Sequence, residues 1–120
     1  MEILELNHVA LHVKDVEASV HFYQHILGFP PMSRPAFDFP GAWFRLGAHQ
    51  ELHLIGERSK PVNSDKRGNH FALKCKSIEQ VQKHLEDKNF EYSGPAKRPD
   101  GIQQIFIKDP DGHYIEFFQS

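Results

Sequence analysis

Nine histidines stand in a chain of 120 residues, alongside a single cysteine, Cys75. Imidazole is the commonest side-chain metal ligand and titrates near neutrality, so where these histidines point decides what chemistry the chain can carry. Two of them sit in matching strings. Asn7 to Glu17 reads NHVALHVKDVE and Asn69 to Glu79 reads NHFALKCKSIE; Asn, His, Ala, Leu, Lys and Glu recur at a constant offset of 62. A third string, HYIEFF from His113 to Phe118, places Glu116 among alternating apolar residues. Imidazoles and a carboxylate together form a nitrogen and oxygen donor set suited to Zn, Ni, Mn or Fe(II).

The elements that must position these groups follow from periodicity. The repeat divides the chain into units of about 1–62 and 63–120, together expected to form one domain. Residues 8–13 alternate, with Val9, Leu11 and Val13 on one face. Asp15 then serves as an N-cap, and Val16, Val20, Tyr23 and Leu27 recur at helical spacing until Gly28, with Pro30 and Pro31 beyond it. In the second unit Ser77 is the cap, Gln80 completes a capping box, and Ile78, Val81 and Leu85 form the buried stripe. Strands are expected over about 42–46 and 51–56 in the first unit, and 102–108 and 113–118 in the second. Weaker ones fall near 32–37 and 90–94. Each unit therefore reads strand, helix, strand, strand, strand, an α+β class of two tandem βαβββ modules.

Side chains two apart on a strand share a face. If Val9, Leu11, Leu52, Leu54, Phe71, Leu73, Ile115 and Phe117 turn toward the helices, the opposite face receives His8, His12, Glu51, His53, His70 and Glu116. A lone strand histidine or glutamate is usually just half-exposed. Here His8 maps onto His70 in the repeat, and His53 falls within one residue of Glu116. Four strands each offer one ligand, so His8, His53, His70 and Glu116 are the expected metal ligands. His12 lies one strand period further along and is expected near the substrate. Trp43, Arg45 and Phe106 fall on the same side and are expected to line a substrate pocket, with Arg45 able to hold an anion. His21 and His25 lie opposite the buried stripe of their helix and are expected in solvent. His49 and His113 fall in turns. Lys97 and Arg98 read as ordinary solvated charges, and the segment from Pro30 to Pro40, with Phe37 and Phe39, as a covering loop.

Composition narrows the partners. A net charge of −2 with no basic stripe argues against nucleic acid and anionic membranes. The apolar runs are too short to span a bilayer. Strand-like residues from Met1 to Leu6 leave no room for a secretory leader, and one cysteine excludes an internal disulfide framework, so a cytoplasmic location is expected.

The strings NHVALHVKDVEASVHFYQHILGF and DPDGHYIEFF resemble the glyoxalase, bleomycin-resistance and extradiol-dioxygenase superfamily, also called vicinal oxygen chelate proteins. The likeness implies paired modules forming a curled mixed sheet around one divalent ion, with ligands at His8, His70 and Glu116 and with His53 in the fourth place. It also implies frequent homodimers and a small-molecule substrate. Its shared chemistry is metal chelation of two adjacent substrate oxygens with proton movement nearby, which points to a lyase or isomerase resembling lactoylglutathione lyase or an epimerase, with Glu116 as ligand and base and His12 as a second proton carrier. Glyoxalase I members place an arginine four residues after the first ligand, and this chain has His12 there, which points away from glutathione toward another small, anionic substrate. Dioxygenase-like or fosfomycin-resistance-like chemistry with Fe(II) or Mn(II) is the second expectation, and non-catalytic ligand binding the third.

Overall fold

A computed structural model describes all residues, 1–120. It divides into two compact units, Met1–Lys60 and Pro61–Ser120. In unit 1 the order is β1 (His8–His12), α1 (Val16–Val20), a π-helical segment (His21–Ile26), β2 (Pro31–Met32), β3 (Gly41–Leu46) and β4 (Gln50–Ile55). In unit 2 it is β5 (Phe71–Lys74), α2 (Ile78–Asp87), β6 (Ser93–Lys97), β7 (Gln103–Lys108) and β8 (Tyr114–Gln119). No helix is long and apolar enough to cross a membrane.

Both helices start where a short polar side chain can take an orphan amide. Asp15 and Ser77 are extended, and each accepts from the backbone N–H three residues on, Ala18 and Gln80, at 3.2 Å. The first helix does not continue as a regular α-helix. The Leu27 amide donates to the Phe22 carbonyl at 2.9 Å, a five-residue step, and Gly28 at φ 78° lets Phe29 close back on Tyr23. This widening shifts the phase of the buried stripe. Ser19, Phe22 and Tyr23 are buried; of the residues expected from α-periodicity Tyr23 is therefore in place, while Val16, Val20 and Leu27 are only half-buried. In α2 the stripe is regular, and Ile78 and Leu85 are buried with Val81 beside them.

Each unit builds its own four-stranded mixed sheet, β1-β4-β3-β2 and β5-β8-β7-β6. The expected single curled sheet is corrected to two open ones, because the parallel β1–β4 and β5–β8 pairs and the antiparallel β2–β3–β4 and β6–β7–β8 ladders are all completed within a unit. The strand-like reading of Met1 to Leu6 also fails. No ladder partner meets these residues, Ile3 and Leu4 break the alternation, and Met1, Ile3, Leu4 and Leu6 lie exposed. Of the two weaker strands, the first shrinks to Pro31–Met32 and the second moves to Ser93–Lys97.

Strand parity sets the core of each unit. Leu11, Phe44, Leu46, Leu52 and Leu54 turn inward with Phe22 and Tyr23, and Ile105, Ile107, Ile115 and Phe117 turn inward with Ile78 and Leu85. Every second strand residue is thereby delivered to the opposite face.

Candidate metal centre

Register makes the two units equivalent at the positions that matter. Ala10 and Ala72 occupy the same place in the repeat, and their Cα partners across the parallel pairs are His53 and Glu116. On the other side His53 faces Trp43 and Glu116 faces Phe106. Each unit thus presents a histidine at the strand start, a second donor one row on, and an aromatic ring beside it.

In unit 1 the His53 ring lies between two others. Trp43 stacks on it at 3.8 Å between centroids and 2° between planes, and His8 covers the other side at 4.1 Å and 16°. His53 Nε2 lies 2.9 Å from Glu51 Oε1, and Arg45 Nη1 donates to Glu51 Oε2 at 3.4 Å. A carboxylate on one ring nitrogen fixes the tautomer and makes the other nitrogen the better donor to a cation. His8 is oriented by Asn7, whose Oδ1 accepts from Nδ1 at 2.8 Å, which leaves the Nε2 lone pair for a ligand.

In unit 2 His70 stands just before β5. Its Nδ1 lies 3.2 Å from the carbonyls of both Asp65 and Gly68, partners that can only accept a proton. With the proton on Nδ1, the lone pair is on Nε2, and that nitrogen is 3.2 Å from Glu116 Oε1. Two lone-pair bearers this close need a positive charge between them, either a second imidazole proton or a cation. The need is sharpened by burial, since Glu116 is only 5% exposed and an uncompensated buried carboxylate is costly.

The donor chemistry therefore fits a divalent cation of borderline hardness. Within neither unit do three His, Cys, Asp or Glu side chains gather tightly enough to hold an ion. The structure gives two donor pairs, His8 with His53 in unit 1 and His70 with Glu116 in unit 2.

The other candidates divide. Trp43 walls the His53 ring, and Phe106 meets the His70 ring edge-on at 5.5 Å. Arg45 is engaged by Glu51. His12 Nε2 is 3.0 Å from the Gly56 carbonyl, which ties the ring to the backbone at the end of β4. His21 and His25 are exposed and lie against each other at 5.6 Å. Arg98 is forked onto Asp100, and Lys97 is exposed. In the Pro30 to Pro40 segment the Arg34 guanidinium packs 5.0 Å from both Phe37 and Phe39. Burial pushes the Cys75 thiol above its ordinary pKa, and it donates to the Phe118 carbonyl at 3.2 Å, so it is no thiolate ligand near neutrality.

Sequence reasoning put Glu51 on the right face but gave it no role. Its signal was the Arg45 register opposite it, which identifies a carboxylate braced from one side and free to brace His53 from the other. Lys66 and Lys108 were missed altogether.

Similarity to known proteins agrees with this architecture. The profile of the Glyoxalase/Bleomycin resistance protein/Dioxygenase superfamily matches residues 5–117. The chain is 35% identical to Glyoxylase I 4 of Arabidopsis thaliana, over 97% of this chain and 71% of that protein. It is 26% identical to metallothiol transferase FosB of Lysinibacillus sphaericus, over 98% and 83%. A glyoxalase family protein from Bacillus anthracis superposes with a TM-score of 0.86 at 27% identity, covering 100% of this chain and 98% of that one. With a profile match across nearly its whole length, the chain belongs to the Glyoxalase/Bleomycin resistance protein/Dioxygenase superfamily.

Proposed function

We propose that this protein is a divalent-metal-dependent enzyme that holds two adjacent oxygens of a small substrate and moves a proton beside a carbonyl, as a lactoylglutathione lyase or an epimerase does. The ligands in this reading are His8, His53, His70 and Glu116, and the ion is Zn, Ni, Mn or Fe(II). The observation that carries it is the 3.2 Å approach of His70 Nε2 to the buried Glu116 carboxylate while Nδ1 is claimed by two carbonyls. When bound, a divalent cation stabilises negative charge developing on substrate oxygens.

The chain's own groups do the rest. Glu51 and Trp43 hold the His53 ring in one plane, with Arg45 balancing the Glu51 charge. Asp65 and Gly68 keep the His70 proton on Nδ1. Glu116, walled from water and beside His70 Nε2, is the base that takes the proton. His12, whose Nε2 lies 3.0 Å from the Gly56 carbonyl, is the second proton carrier in this reading. The protein works as a cytoplasmic homodimer in this reading.

Elemental analysis tests it. Protein purified without added metal is expected to hold about one divalent ion per chain, and His70→Ala and Glu116→Ala are each expected to release it while His21→Ala keeps it. Equal retention in all three overturns the assignment. The Ni(II) form is then assayed for hemithioacetal isomerisation. The likeness to metallothiol transferase FosB favours a second reading, thiol transfer to a small electrophile, and addition of a thiol to fosfomycin by the Mn(II) form separates the two.

A further inference from the structure

Unit 2 contains a cleft of about 430 Å³ whose walls include Phe90, Tyr92, Phe106 and Tyr114, with Lys66 and Lys108 among its lining. The volume lies within the range of small-molecule sites. Four aromatic rings supply its apolar lining, beside the polar Lys66, Glu91, Ser93 and Lys108. Even Tyr92 offers it only a ring face, because its hydroxyl donates to Glu86 at 2.6 Å and accepts from Gln82 at 2.8 Å.

The two lysines are the unusual part. Lys66 Nζ stands 5.8 Å from the Phe106 ring centre and Lys108 Nζ 5.7 Å from that of Tyr114. Neither ammonium has a carboxylate partner among the ion pairs of the chain. A ring face offsets little of an exposed cation's charge. Two cations therefore stand over the aromatic walls of the cleft, and Glu91 is the one carboxylate in its lining. Phe106 also connects the cleft to the donor pair of unit 2: it is the Cα partner of Glu116 and meets the His70 ring at 5.5 Å.

We infer that this cleft binds an organic monoanion with a flat apolar body, its carboxylate drawn to Lys66 and Lys108 and its body laid against Phe106 and Tyr114. The orientation of the reactive end toward His70 and Glu116 rests on the proposed metal reading; the binding itself does not. Glu91 sets the preference for a single negative charge, since a second would face a carboxylate. The body is required because exposed ammonium groups alone hold a hydrated anion poorly.

The probe is benzoylformate, titrated calorimetrically into the full chain after chelator treatment and again after metal loading. Acetophenone has the same body without the charge, and inorganic phosphate has charge without the body. Benzoylformate is expected to bind more tightly than either control and to weaken as salt rises. Lys66→Gln and Lys108→Gln are each expected to weaken it up to about fivefold, the range of an exposed ion pair, and the double variant by about tenfold or more. Both lysines are exposed, so a circular dichroism spectrum like that of the parent is expected for the variants. No benzoylformate binding, equal binding of acetophenone, or parent-like binding by the double variant overturns the inference. Failure of the metal reading looks different: no ion is retained, yet the lysine-dependent binding persists in the chelated protein and in His70→Ala.

Discussion

The two units start from nearly the same eleven residues and end in different electrostatic surroundings. In unit 1 the histidines lie within or at the start of a strand and are held by flat neighbours, Trp43 on one side of His53 and His8 on the other. Stacking fixes the plane of a ring, and the Glu51 carboxylate, itself held by Arg45, meets its Nε2. In unit 2 the histidine precedes its strand, is held by two carbonyls, and looks straight at a buried carboxylate. The repeat therefore fixes which face a donor occupies, through parity and register. What the donor can do is set by neighbours that do not repeat: a half-buried glutamate paired with an arginine in one unit, a buried one facing a histidine in the other.

Core substitutions give the largest expected effect and test the shared part of the comparison. Leu52 and Ile115 are both fully buried, and Leu52→Ala and Ile115→Ala are each expected to cost about 2–5 kcal/mol in urea unfolding followed by circular dichroism. A loss well under 1 kcal/mol at either position would show that strand to be facing the wrong way. Carboxylate exchange tests the part that differs. Glu116→Gln is expected to abolish metal retention, whereas Glu51→Gln, which leaves His53 in place, is expected to weaken it about 10–100-fold, read by competition with a coloured chelator. The opposite ranking would make Glu51 the ligand and Glu116 the brace.

Smaller effects sharpen the picture. Trp43→Leu is expected to cost about 0.5–1.5 kcal/mol of stacking beyond its lost area, and Trp43→Phe is expected to recover part of it. The two N-caps should be alike, since both make the same 3.2 Å contact; Asp15→Ala and Ser77→Ala are each expected to lose about 1 kcal/mol of stability by thermal unfolding. The smallest effect is at Asp100. The hydrogen bonds from the Arg98 guanidinium hold its carboxyl down to about 2 from an ordinary 3.8. A depressed folded pKa means a contribution present above pH 3.8 and lost as pH falls toward 2, in that window and not near neutrality. Both side chains are at the surface, so the difference between the parent and Asp100→Asn should be slight, and a large one would mean a buried role.

Much of the site was legible because strand parity is a local rule. Leu52 and Leu54 had to share a side, so Glu51 and His53 had to take the other, and one sequence suffices to say so. The register equivalence of His53 and Glu116 was legible only to within a residue, since nothing local says how far a strand slides against its partner. The phase of the first helix was misread for a related reason. An α-helical stripe assumes a constant step, and around the widened turn at His21–Ile26 Phe22 and Tyr23 are buried together, the Tyr23 ring packed 4.8 Å from Phe22 and 6.1 Å from Phe44. Likewise Met1 to Leu6 is apolar enough to suggest a strand, but a strand exists only where a ladder accepts it.

The amino-acid order alone determined the repeat, the class of fold and the faces of the strands, and with them which side chains are candidate donors, because each follows from side-chain chemistry and a spacing of two along one chain. Only the tertiary structure decided that His70 meets Glu116 through Nε2, that Glu51 braces His53, and that Lys66 and Lys108 overlook one aromatic cleft. Those relations join residues as many as 46 positions apart, and contacts across such distances are set by how strands register and pack, which no local pattern encodes.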